Sequence, residues 1–174
     1  MRMKTIAVLI GLLFTLPALA QQAAPVPPEF KAADYFIGRW EGDLMMGPPG
    51  GQMKMKAAMV GEKILGGRYI QCMNKFSGDG MPEMSGMFLL TYDEAAKNWV
   101  GWWYDSTGPG AVEMPGSLVD NTITLTSKPT KMQGMDVTMR STWTKVSDKE
   151  LKMKVEMQQG TDWVVFVSGE FKKK

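Results

Sequence analysis

The 174-residue sequence contains no histidine and a single cysteine, Cys72. Without histidine, Ser-His-Asp and Cys-His nucleophilic chemistry is excluded, as are imidazole-ligated metal sites. A lone cysteine cannot close an internal disulfide. Cys72 reads as a reactive thiol, as an intermolecular bridge, or as a small buried apolar residue, the commonest fate of free cysteine. An excess of either charge is also missing. The formal charge of +2 comes from 20 basic and 18 acidic residues. Two of the basic ones, Arg2 and Lys4, stand at the very start. From residue 21 onward the signs balance, which gives no support to nucleic-acid binding. Lys172-Lys173-Lys174 reads as a solvated tail. No spacing of Asp and Glu marks two carboxylates as catalytic partners, so an enzyme is not expected, nor is a cofactor.

The chain has one long apolar run. Residues 5–16 follow Arg2 and Lys4 and precede Ala18-Leu19-Ala20, a small-x-small site. This pattern predicts a secretory signal peptide over residues 1–20, cut after Ala20 and too short for a membrane span. The expected location is periplasmic or secreted, with no transmembrane segment in the mature chain. Residue 21 is glutamine rather than cysteine, which argues against a lipid anchor. Residues 21–28, QQAAPVPP, form a Pro/Ala linker. Residues 29–174 then make one domain, long enough to close a core.

Pro28 suits the first position of a short helix over residues 29–36, with Phe30, Ala33 and Phe36 on one face. Gly38 ends it. From there the apolar period becomes two. Trp40, Gly42 and Leu44 alternate with Arg39, Glu41 and Asp43. Met53, Met55, Ala57 and Met59 alternate with Lys54, Lys56, Ala58 and Val60. Leu151, Met153, Val155 and Met157 alternate with Lys152, Lys154, Glu156 and Gln158. Such alternation marks strands with one face in a core and one in water. Weaker versions cover residues 68–76, 87–92, 99–104, 111–118, 122–127, 135–145 and 163–171. Turn signals rich in Gly, Pro, Asp and Asn separate them. About ten short strands in series predict an all-β domain, a single antiparallel up-and-down barrel capped by the short helix. Closure removes the two exposed edges. A β-sandwich is the alternative.

Gly38-Arg39-Trp40 resembles the G-x-W that opens the first strand of lipocalins and related calycin barrels. In that group the tryptophan plugs one end, and a basic residue of the last strand often packs over it; the last strand here supplies Lys172 to Lys174. A wider resemblance spans nearly the whole mature chain. F-I-G-R-W-E-G (36–42), L-G-G-R-Y-I (65–70), T-Y-D (91–93), W-Y-D-S-T-G (103–108) and F-V-S-G-E-F (166–171) occur in order. Together they resemble DUF1579, an exported bacterial family of unknown function. That family usually carries glycine where this chain has Thr91. The resemblance implies a lipocalin-like barrel and no particular activity.

The inward faces carry the functional expectation. Methionine is abundant, 17 residues, and thioether side chains adapt to irregular apolar shapes. Two readings stand: a cavity for a small apolar or amphipathic molecule, or a filled core in which methionine is the packing residue. On the first, the expected ligand contacts are Trp40, Met53, Met55, Arg68, Trp103, Met135, Met139, Trp143, Met153 and Met157. Arg68 is expected to pair with Asp93 or Asp105, the alternative being a ligand anchor. Asp105 reads as a turn cap, given Ser106 and Gly108 after it. In MPEMSGM, Met81, Met84 and Met87 recur every third residue. Thioethers select soft ions such as Cu(I) or Ag(I), but three sulfurs converge only if this segment is a loop. In a strand, Met84 points away from the other two. Exposed methionine as an oxidant sink and a Trp/Met surface that docks on a protein partner complete the alternatives.

Overall fold

The computed structural model describes residues 25–108, 110–132 and 135–174, and of Met132 and Met135 the backbone alone. The expected signal peptide, its cleavage point and residues 21–24 of the linker lie outside the described residues. Pro28–Phe36 forms a 3-10 helix. At three residues per turn, positions three apart lie on one line. Phe30, Ala33 and Phe36 are therefore all buried together.

Twelve strands follow among the described residues. The first six are β1 (Gly38–Met46), β2 (Met53–Ile64), β3 (Tyr69–Ser77), β4 (Met84–Asp93), β5 (Asn98–Asp105) and β6 (Val112–Val119). The rest are β7 (Thr122–Thr126), β8 (Thr130–Met132), β9 (Met135–Val137), β10 (Met139–Ser147), β11 (Glu150–Gln159) and β12 (Asp162–Lys173). Ten of them close a barrel in the order β1-β12-β11-β10-β7-β6-β5-β4-β3-β2. All pairs are antiparallel, and β1 joins β12 from Trp40 opposite Lys173 to Met46 opposite Val167. The sandwich is thus excluded. One expected strand, 135–145, is divided at Thr138: β9 turns out to pair with β8 as a small hairpin, and β10 alone enters the barrel.

The helix closes one end. Trp40 is 1% exposed and donates its indole N–H to the Phe36 carbonyl at 3.1 Å. That carbonyl rests on Gly61, where an added Cβ would stand 2.1 Å from the Phe36 oxygen. The Lys173 ammonium lies 5.1 Å from the centre of the Trp40 ring, within cation–π range. Lys172–Lys174 is solvated as expected but is not a free tail, because β12 runs to Lys173. Lys172 pairs with Glu150 at 2.9 Å, Lys174 with Glu41 at 2.8 Å, and Lys173 covers the plug. Three lysines carry no alternation signal, so the sequence does not show that barrel closure gives each a partner on a neighbouring strand.

Below the plug the interior is filled by rings. Phe36 meets Trp143 edge-on at 5.5 Å, Trp143 stacks near Phe88 at 6.2 Å, and Phe171 tilts against Trp143 at 5.6 Å. Replacing Trp40 by alanine removes a buried ring and leaves the Phe36 carbonyl without its donor. The expected cost is about 3–5 kcal/mol, read as a lower urea midpoint. Gly61→Ala, which adds a methyl group, is expected to destabilise as well by pushing the helix off the barrel.

Candidate functional site

The strands give the barrel two unlike ends. At the helix end the inward residues Trp40, Ile70, Leu90, Ile123, Leu151 and Phe171 are sealed, at 1% exposure or less, and Tyr92 and Leu118 at its rim are half-buried. At the opposite end the inward residues Met46, Phe76, Met84, Trp103, Val155 and Val167 are half-buried and pack against that core. Solvent therefore reaches a broad apolar mouth at that end, while at the helix end it reaches the half-buried Tyr92 and Leu118 beside Glu29 and Ala32.

Trp103 is the best-anchored ring of the mouth. Its Nε1–H donates to Asp105 Oδ2 at 3.0 Å. The benzo half of the indole fills the space over Gly86, where an added Cβ would lie 2.3 Å from Cζ2 and 2.4 Å from Cη2. Phe76 stands 6.1 Å away at 55°. Asp105 in turn accepts the Thr107 N–H at 2.8 Å and the Thr107 hydroxyl. Partial burial raises its pKa, but the bonds from Thr107, Trp103 and Gly108 outweigh that and hold the carboxyl below its usual value. Asp105 is both a turn cap and the brace of Trp103.

The expected ligand contacts separate into groups. Trp40, Met55 and Trp143 lie in the filled part, at 4% exposure or less, and Met139 and Met153 are also buried. Their role is packing. Trp103 and Met157 are half-buried and belong to the open end. Met53, expected inside, is 46% exposed, because it is the first residue of β2 and stands at the rim. Met135 begins β9, and its side chain lies outside the described residues. Arg68 is not at the interior either. It bonds Glu94 at 3.2 Å and the Pro25 carbonyl at 2.8 Å, not Asp93 or Asp105. Both of those carboxylates are engaged in turns, Asp93 accepting the N–H groups of Ala95 and Ala96. Sequence reasoning missed Met46, Phe76 and Gly86. The first two follow the two-residue period of β1 and β3. Gly86 left no signal, since its role appears only when Trp103 is placed over it.

MPEMSGM resolves as turn and strand. Met84 pairs with Phe76 and faces inward, while Met87 pairs with Met73 and faces out. The two sulfurs sit on opposite sides of one sheet, so the three-methionine metal site does not assemble. Met87 instead accepts from Gln71 at 2.9 Å. Cys72 is fully buried, and burial pushes its thiol up to about 12. At neutral pH it stays protonated and acts as a core residue.

The pattern of the family described as "Protein of unknown function (DUF1579)" matches residues 29–173. The chain belongs to the DUF1579 family. No curated protein matches it. Among solved structures, this DUF1579 chain is similar to Rv2717c from M. tuberculosis, at 15% identity and a TM-score of 0.64. That match covers 86% of this chain and 99% of that one. It is also similar to the S-type phycobiliprotein lyase CPES from Guillardia theta, at 11% identity and a TM-score of 0.56. Here 84% and 90% of the two chains are covered. Identities this low show a shared fold alone.

The outer wall of the DUF1579 barrel is divided. Across β10, β11, β12 and β1 it carries Arg140, Thr142, Lys152, Lys154, Glu170 and Asp43. Within it Glu156 is 5% exposed, bonded by Arg140 at 2.8 Å and Lys154 at 3.0 Å. The Arg140 guanidinium lies 4.3 Å from the Trp163 ring centre. Across β2–β5 a row of register partners is apolar instead: Val60, Met73, Met87 and Tyr104. Val60 and Met73 are exposed by almost half.

The hydrogen bond from Arg140 leads the causes that hold the Glu156 pKa below its usual value, aided by Lys154 and opposed by burial. Stabilisation from this cluster is therefore complete above the ordinary glutamate pKa and fades as pH falls through the lower folded value. Glu156→Gln is expected to cost about 1–2 kcal/mol at pH 7, Arg140 being partly exposed. The gap to the parent should close below about pH 4, measured as urea midpoints across pH.

Proposed function

We propose that this is an exported, non-catalytic barrel that binds a small apolar or amphipathic molecule in the mouth opposite its helix. One observation carries the reading: six inward apolar residues of that end, Met46, Phe76, Met84, Trp103, Val155 and Val167, are half-buried together. Surface that stays apolar and wet gains from covering by a ligand. The chemistry of the chain agrees with binding over turnover. The sequence has no histidine, and the two strongest acid candidates, Asp93 and Asp105, serve turns. The fold likeness to the lyase is compatible with a ligand-binding barrel but assigns no substrate. Export rests on the first 20 residues of the sequence. Nile red, a neutral apolar dye, is expected to bind the mature protein with enhanced fluorescence. Met84→Glu places a charge in the mouth and should weaken that binding at least about tenfold. Thr144→Glu, on the outer wall, should leave it unchanged. Absence of Nile red binding to the folded parent protein would refute the reading.

The apolar row on the outer wall favours a second reading, docking on a protein partner. Exposed contiguous apolar surface marks such sites. If the row docks, Met73→Glu together with Val60→Glu abolishes an association seen by cross-linking in the cell envelope and leaves Nile red binding intact. If the parent protein cross-links to nothing through β2–β5, the row is plain surface.

A further inference from the structure

The mouth is not a uniformly greasy cup, and its chemistry selects among apolar ligands. Trp103 is fixed before any ligand arrives. The edge of the indole that carries Nε1, Cζ2 and Cη2 is held at both ends, by Asp105 on its own strand and by the bare backbone of Gly86 on β4. Gly86 and Asp105 are register partners, so the two anchors lie side by side on the wall. Phe76, tilted at 55° and 6.1 Å away, forms the second side of an aromatic corner. Both rings are half-buried. Ordering costs that a flexible site would carry on binding are absent from a corner already set.

Charge adds the second element. Among the described residues, the inward positions around this corner include Met46, Met84, Val112, Val155 and Val167, all neutral, and Asp105, a carboxylate. Its four donors, the N–H and hydroxyl of Thr107, the Trp103 indole and Gly108, keep it ionised at neutral pH without cancelling its charge. The π faces of the corner are themselves negative. A negative carboxylate beside negative ring faces attracts a cation and repels an anion.

The geometry points to a flat aromatic cation as the ligand class of the mouth, stacked in the corner of Trp103 and Phe76 beside Asp105. This rests on the binding reading above and narrows it. Fatty acids and other anionic amphiphiles, the usual apolar cargo in water, are disfavoured by the same charge.

The test compares three probes on the mature protein: proflavine (flat, cationic), Nile red (neutral) and 1-anilinonaphthalene-8-sulfonate (anionic). Proflavine is expected to bind about tenfold or more tighter than the anionic dye. Raising the salt concentration should narrow that gap. Trp103→Leu should weaken proflavine about tenfold, and Trp103→Phe much less. Asp105→Asn should erase the preference between cationic and anionic dyes. Equal affinity for the two charged dyes in the parent protein overturns the proposal whether or not the variants fold. So does a folded Trp103→Leu that keeps full proflavine affinity. If Nile red binds while the charge preference is absent, the narrower claim fails and the binding reading stands. If no probe binds, both fail.

Discussion

The hydrogen bond from the Trp40 indole to the Phe36 carbonyl organises this molecule. It ties the helix to the first strand, and that carbonyl can settle on β2 because residue 61 is glycine. Lys173, from the last strand, closes over the same ring. First strand, last strand and helix therefore meet at one tryptophan. A sheet of ten strands has two free edges until its ends pair, and the plug lies where that pairing begins, with Trp40 opposite Lys173. The plug and helix seal the centre of one end, and the other end is where the larger set of inward apolar residues meets water. The functional asymmetry follows from the structural one.

Much of the fold could be read from alternation alone. The ten expected strands fall within a few residues of the ten that form the barrel, because a half-buried strand writes its two faces into the sequence. The helix was readable through Phe30, Ala33 and Phe36. What alternation does not carry is depth along the barrel. Met53 and Met55 share a face, yet one is exposed at the rim and the other is 2% exposed in the core. Depth depends on where each strand starts relative to its neighbours, which is a property of register. Arg68 shows the same limit: its partner Glu94 and the Pro25 carbonyl come close through turns that no sequence period describes.

The methionines were the most conspicuous feature of the sequence, and they turn out to share the interior with rings. Met55, Met59, Met114, Met139 and Met153 are buried, but Phe36, Phe88, Trp143 and Phe171 form the connected centre. Aromatic residues fix positions, since each pair has preferred angles and distances. Thioethers then fill what remains. A division of labour of this kind explains why so many methionines can be tolerated without a loose core. It also explains why Met84 and Met87, three residues apart, have unrelated surroundings: one completes the mouth, the other belongs to the outer wall.

Glycine is what lets so many rings fit inside one barrel. An added Cβ at Gly101 would meet Leu125 at 2.6 Å and Phe88 at 2.8 Å, and one at Gly42 would meet Phe171 at 2.9 Å. In each case a large side chain from a neighbouring strand occupies the volume that the glycine leaves empty. Gly86 belongs to this series, with Trp103 as its large partner. The sealed end and the mouth are thus built by one device, small residue under large ring. They differ in what lies on the far side of the ring. Deep in the barrel, Phe88 and Phe171 meet Trp143 and the space is closed. At the mouth, Trp103 meets Phe76 and then solvent. Among the described residues, this aromatic surface is held rigidly against glycine and left half-covered, so there the packing rule has no protein partner to complete it.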